Sequence, residues 1–434
     1  MMNSFPDSLH GHGRKWIAAS GVAMLFASFL VSAPVGAQTE YHFSPQALEH
    51  LPEWAPGNEV LASVGREEGD PEHHIGALAY AALLPEGELA LVDDHADWIR
   101  VFAPDGALRL RFAGRGEGPG EFTEYGLIEV LAGPDDGFTL WRATSRSLFL
   151  YGADGEFLSS IRAPDGPQPP VLLGARGDGS FLFQISTLDA VALQPGVMRF
   201  DSAIVVETRP GDGGEPVHSE WHRAPDPQSL ARGAARARVR SIVPSPTILP
   251  RAIHAVTPDG QLIRGTSDRW RFEWWTPDGG VEHRVTFDFP EQTVHDAHRE
   301  LMVPMLAGTR NLGPGESRTP DQARLERSAR ELLEGIERGE AVAGFRVYSG
   351  GEIVVGAPRH PGEPPAPLLL SERGRPLGWL VNDPDEHGAY PQILDIRGDR
   401  VLLRIRDPVT DVVHLEIRPF GPRPAAPAPG DAPG

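Results

Sequence analysis

The chain has 434 residues, a formal net charge of −20 and no cysteine. Together these exclude disulfides, thiolate metal sites and cysteine nucleophiles, and they argue against nucleic acid and anionic lipid as partners, because an acidic chain is repelled by both. Its single lysine, Lys15, leaves none downstream for a Walker A loop or a pyridoxal Schiff base.

At the N-terminus, Arg14 and Lys15 precede an apolar run over residues 16–37 that ends in Val35-Gly36-Ala37. A basic segment, an apolar segment and a small-residue cleavage site predict a signal peptide over 1–37; an uncleaved anchor is the rival reading. Nothing after residue 37 is long and apolar enough to span a bilayer. The mature chain is therefore expected to be secreted or periplasmic, with residues 38–57 as a lead-in.

A repeat follows. LASVGREEGDPEHHIGAL (61–78) aligns with LRFAGRGEGPGEFTEYGLI (110–128) at an offset of 49, matching Gly65 with Gly114, Arg66 with Arg115, Gly69 with Gly118 and Glu72 with Glu121. Asp105-Gly106 and Asp154-Gly155 keep the same offset. A period of about 40–50 residues built from short alternating strands predicts propeller blades. Blade one reads as IGALAYAALL, ELALV, WIRVFA and LRLRF; Pro-Asp-Gly makes the last hairpin, with proline presetting φ and glycine taking φ > 0. The glycine-rich segment is then a connector between blades. As a nucleotide loop it fails, since Pro119 and Glu121 stand where G-x-G-x-x-G needs glycine and no helix follows.

Blade two is expected over 123–162, blade three over 170–209, blade four over 249–288 and blade five over 342–381. Blade six has only three strands of its own. The missing one is supplied by residues 59–64, placed alongside 411–419, so that the ring closes by a 3+1 blade and no sheet edge is left open. Insertions are expected over 210–248 and 290–340. The second holds a helix capped by Thr319 or Asp321, with Leu325, Leu332, Leu333 and Ile336 on one face. Residues 421–434, rich in Pro, Ala and Gly, read as a disordered tail.

The G-R-G-E-G-P-G-E-F connector, followed by VDDHADWIRVFAPDG, resembles six-bladed β-propellers of the NHL/TolB-like kind, among them bacterial secreted members. Blades one and two carry the likeness; the others match only in strand rhythm. The resemblance implies an all-β fold and no single activity.

Strand alternation gathers the loops between the second and third strands of each blade, together with the blade connectors, on one face. There Asp93, Asp94, His95 and Asp97 form the densest cluster, joined by Arg115 and Arg142. Four oxygen and nitrogen donors could hold calcium, while an aspartate in such a loop also serves to bind its own turn. The arginines could grip a carboxylate or phosphate, or could lace blades together by pairing with acids such as Glu117. Adjacent His73 and His74 point apart, and H-x-x-H at 295–298 lacks a third ligand. No HExxH, GxSxG or EF-hand loop occurs. These residues predict an exported, non-catalytic binding scaffold without a cofactor, a monomer whose protein, peptide or glycan ligand meets the loop face. The alternative is a calcium-dependent, lactonase-like hydrolase or lyase with its site at the propeller axis. Such sites draw on asparagine as well as Asp and Glu, and none of Asn58, Asn311 and Asn382 lies in a loop between the second and third strands of a blade.

Overall fold

The computed structural model describes residues 39–423 apart from 66–71, 124–127, 167–168, 188–200, 212–215, 227–251, 277, most of 290–318, 335–344, 359–364, 385–389 and 408–409. The chain divides into two units, residues 1–37 and 38–434. The first, with the predicted signal peptide, lies outside the described residues, and so do Arg66, Gly69, the arginine-rich stretch 230–241 and the tail beyond 423. No described helix is long and apolar enough to cross a membrane.

The predicted lead-in is structured. It forms β1 (Thr39–Phe43), α1 (Pro45–Glu49) and β2 (Glu53–Pro56), followed by β3 (Ala62–Val64). Ser44 caps α1 through its side chain, with Pro45 at the first helical position. Four-stranded sheets then follow in sequence. Sheet 1 is β4 (Leu78–Leu83), β5 (Leu89–Asp93), β6 (Ile99–Phe102) and β7 (Leu108–Phe112). Sheet 2 is β8 (Ile128–Ala132), β9 (Phe138–Arg142), β10 (Ser147–Tyr151) and β11 (Phe157–Arg162). Sheet 3 is β12 (Val171–Ala175), β13 (Phe181–Thr187), β14 (Asp201–Arg209) and β15 (Val217–Asp226). Sheet 4 is β16 (Ala252–Val256), β17 (Leu262–Thr266), β18 (Arg271–Trp275) and β19 (Val281–Phe287), with β1 added in parallel on β19.

After α2 (Pro320–Glu334) come β20 (Phe345–Val347), β21 (Ile353–Pro358), β22 (Pro365–Leu370) and β23 (Pro376–Leu380), then β24 (Gln392–Arg397), β25 (Arg400–Arg406) and β26 (Val413–Pro422). These two antiparallel halves are joined into one nine-stranded sheet by β2, which pairs with β23 on one side and β26 on the other. β3 pairs antiparallel with β26, with Val64 opposite Leu415 and Ala62 opposite Ile417.

The first strands of the sheets lie side by side, β4 against β8 and β24, and β16 against β12 and β20. Apolar clusters fill the spaces between successive sheets. Val92, Val101, Phe112, Phe138 and Leu140 join sheets 1 and 2, and Trp141, Leu148, Leu172, Phe181 and Phe183 join sheets 2 and 3. Phe272, Trp274, Val355 and Leu368 join sheet 4 to the next. Four-residue strands with both faces covered, such as Ile99–Phe102, bury every side chain. Mostly-β structure in antiparallel four-strand units, packed face to face in this way, is a β-propeller fold.

Two boundaries differ from expectation. The fourth strand of sheet 3 is Val217–Asp226, inside the predicted insertion 210–248. Its sequence, VHSEWHRAPD, is polar on both faces and carries no apolar alternation to read. Gly421 and Pro422 belong to β26 because β2 pairs with them. Within the other predicted insertion, α2 is capped by a reciprocal pair: the Gln322 N–H donates to Thr319 Oγ1, and the Thr319 N–H donates to Gln322 Oε1. Glu326 and Ala329 are buried. The side chains of Leu325, Leu332 and Leu333, and Ile336 as a whole, lie outside the described residues.

Candidate functional site

β5 ends at Asp93, which is buried. Its Oδ2 accepts from the Gly76 N–H at 2.8 Å and from Arg100 at 3.1 Å; its Oδ1 accepts from Ala77 N–H at 2.8 Å and His95 N–H at 3.0 Å. Burial pushes this carboxyl up, but the three backbone donors and the guanidinium outweigh it and hold the group below the ordinary aspartate range. Arg100, also buried, reaches on to the carbonyls of Glu72 and His74 at 2.7 and 2.8 Å. The pair therefore pins the incoming connector to the sheet. Four donors occupy the lone-pair sites a cation would need.

Arg115 holds the other side of the same loop. Its NH2 donates to the carbonyls of Asp94 and Ala96 at 2.9 and 3.2 Å, its N–H donates to the Asp97 carbonyl at 2.7 Å, and it pairs with the Asp97 carboxylate at 3.5 Å. Asp94, His95, Asp97 and Trp98 face solvent around this clamp. Trp98 is 46% exposed and lies against Gly114, where an added Cβ would come within 2.5 Å of its ring. The structure thus brings Asp93, Asp94, His95, Asp97 and Arg115 together. Arg142 stands one sheet further on, its guanidinium 5.4 Å above the ring of Phe122 at the end of the same connector.

The glycines of that connector serve Glu121. The Gly118 N–H donates to its carboxylate at 2.9 Å, and an added Cβ at Gly116 or Gly118 would collide with the same carboxylate. The loop is closed by its own acid, which leaves it no free cradle for a phosphate.

A second convergence lies where the first strands meet. Tyr80 of β4 feels Asp395 of β24, Glu129 of β8 and Arg346 of β20. Burial raises the Tyr80 hydroxyl, the two carboxylates raise it further, and Arg346 opposes them. Asp395 accepts from the N–H groups of Leu83, Ser349 and Ile396 at 2.8–3.0 Å, so one carboxylate ties three strand ends together. Arg397 adds bonds to the Leu83 and Ser349 carbonyls. This group could not be read from the sequence, because its members are spread over more than 300 residues and follow no motif. Among the described residues no group of three or more His, Asp or Glu side chains is placed to hold a metal ion.

No family model matches the chain, and no curated protein matches its sequence. Solved structures do resemble it. A Bacteroides fragilis protein named as exported is 11% identical, covering 88% of this chain and 99% of its own, with a TM-score of 0.43. A virginiamycin B lyase from Staphylococcus aureus is 9% identical over 82% of this chain and 97% of its own, with a TM-score of 0.33. A gluconolactonase of Xanthomonas campestris is 12% identical over 80% and 86%, with a TM-score of 0.33. At such values the likenesses carry no argument about activity, and the fold rests on the strand pairing described above.

Proposed function

We propose that this chain is an exported six-bladed β-propeller of the NHL/TolB-like kind, its last blade closed 3+1 by β3, and that it works as a rigid, non-catalytic binding scaffold. The signal peptide expected over residues 1–37 supports a secreted or periplasmic address. The observation that carries the binding role is the division of labour in the 93–98 loop. Asp93, Arg100 and Arg115 are engaged in holding the loop, with the Asp97 carboxylate paired to Arg115, while Asp94, His95 and the ring of Trp98 stand in solvent on that rigid base. Function on a propeller is carried by such loops, and an exposed tryptophan beside acids and a histidine suits a protein, peptide or glycan ligand. Arg142 extends the same face.

The test is capture on glycan and peptide arrays by the purified protein, repeated with Trp98→Ala and with Asp94→Ala/Asp97→Ala. Saturable binding lost in both variants, with melting unchanged, is expected. Binding indifferent to these positions would remove the face assignment. A tightly held calcium ion whose chelation lowers the melting temperature would favour the hydrolase or lyase reading instead.

A further inference from the structure

The seam between sheets 3 and 4 is unlike the other sheet contacts. Its buried apolar cluster is only Leu182, Val205, Val256 and Leu262, with Leu173, Trp221 and Trp275 partly buried beside it. The sheet 4 side carries a polar row. Strand register sets His254 opposite Arg264, Glu273 opposite both Arg264 and Arg284, and Arg284 opposite Glu40 of β1.

The charges in this row are not evenly matched. The Oε1 of Glu273 accepts from the Nε and NH2 of Arg284 at 3.1 and 2.8 Å, and its Oε2 accepts from Trp275 Nε1 at 3.2 Å. Arg271 lies 3.7 Å from the same carboxylate. Arg264 is left over. Among the described residues its guanidinium has no carboxylate within ion-pair distance and no hydrogen-bond acceptor, although it is half-buried. It lies 4.1 Å from the centroid of the Trp275 ring. Glu273, opposite it in the register, acts on Arg264 at longer range, but its carboxylate oxygens are taken up by Arg284 and Trp275.

Sheet 3 completes the walls. The ring of His222 meets His254 edge-on at 5.4 Å and lies 6.4 Å from Trp275, and Gln184 Oε1 is 3.2 Å from His254 Nδ1. Burial, aided by Arg264, pulls His222 down to about 4; burial, then His222 and Arg264, pull His254 down to about 3. Both imidazoles are therefore neutral at ordinary pH and leave Arg264 as the cation of the seam that no carboxylate contacts directly. Glu220, the other acid acting on His222, is paired with Arg223.

We propose that this polar seam binds a small ligand through an oxyanion, a carboxylate or a phosphate, gripped by the paired N–H groups of Arg264. Stacking on Trp275 fixes the plane of the guanidinium and leaves its N–H edge for a bidentate partner, which is how planar oxyanions are recognised. The neutral His222 and His254 and the Gln184 amide flank Arg264 with groups able to meet hydroxyls on the rest of the ligand. The site is separate from the 93–98 loop and does not depend on it.

The experiment is titration of the purified protein with inorganic phosphate and, separately, with malonate, at constant ionic strength, read by calorimetry and by tryptophan fluorescence. One-site saturable binding of at least one anion is expected. Response to phosphate alone identifies a phosphorylated ligand, to malonate alone a carboxylate ligand, and to both a general oxyanion site. Arg264→Gln should weaken binding about tenfold or more, and Arg264→Lys, which keeps the charge but loses the fork, nearly as much. Arg223→Gln removes one positive charge from the neighbouring strand and should leave affinity unchanged. The proposal fails if neither anion saturates. It fails equally if Arg264→Gln binds as the parent does, or if Arg223→Gln weakens binding to the same degree.

Discussion

Asp93 shows how one residue can be conspicuous in a sequence for a reason other than ligand binding. It heads a conspicuously acidic loop, yet its oxygens are filled by Gly76, Ala77, His95 and Arg100. Asp93→Ala would leave Arg100 buried without its counter-charge, a change that costs about 3–5 kcal/mol, so a marked fall in the urea midpoint is expected. Asp94→Ala, at an exposed position, should leave the midpoint nearly unchanged and alter only binding. Glycine matters at a few points. Gly155 has φ +82° and sits where an added Cβ would lie 2.7 Å from the Cβ of Phe112 on the preceding sheet. Gly155→Ala therefore meets both a strained backbone and a steric clash, and should destabilise by about 1–3 kcal/mol in the same measurement.

At the scale of elements, the N-terminal segment is the main surprise. β1 adds to the outer edge of sheet 4, and β2 bridges β23 and β26 inside the nine-stranded sheet. Leu48 is 2% exposed, and its carbonyl accepts from Trp379 Nε1 at 3.0 Å. If the segment is part of the fold, Leu48→Ala should cost about 2–4 kcal/mol, as core truncations do; a mere lead-in would show no effect in a thermal melt. Alternation in sequence revealed the strands of sheets 1 and 2 and the Asp-Gly hairpins, because each has one apolar stripe and a turn signal of its own. It did not reveal TEYHF and EWAP as strands, because their register is set by distant edges such as Val281–Phe287, not by a local pattern. For the same reason VHSEWHRAPD went unread as β15.

Across the whole molecule, the sheet 3–sheet 4 seam should govern the response to acid. His222 and His254 are both depressed below the ordinary histidine value of about 6.5. Their neutral form is favoured by the fold, so their contribution is unaffected above that value. As pH falls toward about 4, the unfolded chain takes up protons that the native seam refuses. Stability should then fall by roughly 1 kcal/mol per pH unit for each histidine at most, less for the partly exposed His222. Urea melts between pH 7 and 4.5 would show this slope, and His254→Gln should flatten it. Amide exchange should likewise find the seam strands less protected than those between sheets 1 and 2, where the apolar contact is larger.

The sequence alone determined the local geometry: a 49-residue rhythm of short strands, glycine turns, the Thr319 cap and the acidic loop at 93–97. These depend on residues within a few positions of one another, so spacing is enough to express them. Tertiary structure alone decided which charges are satisfied. The Asp93–Arg100 clamp, the Asp395 junction of three strand ends and the lone guanidinium of Arg264 each depend on partners brought near by sheet packing. Whether a partner is present cannot be written into a run of neighbouring residues.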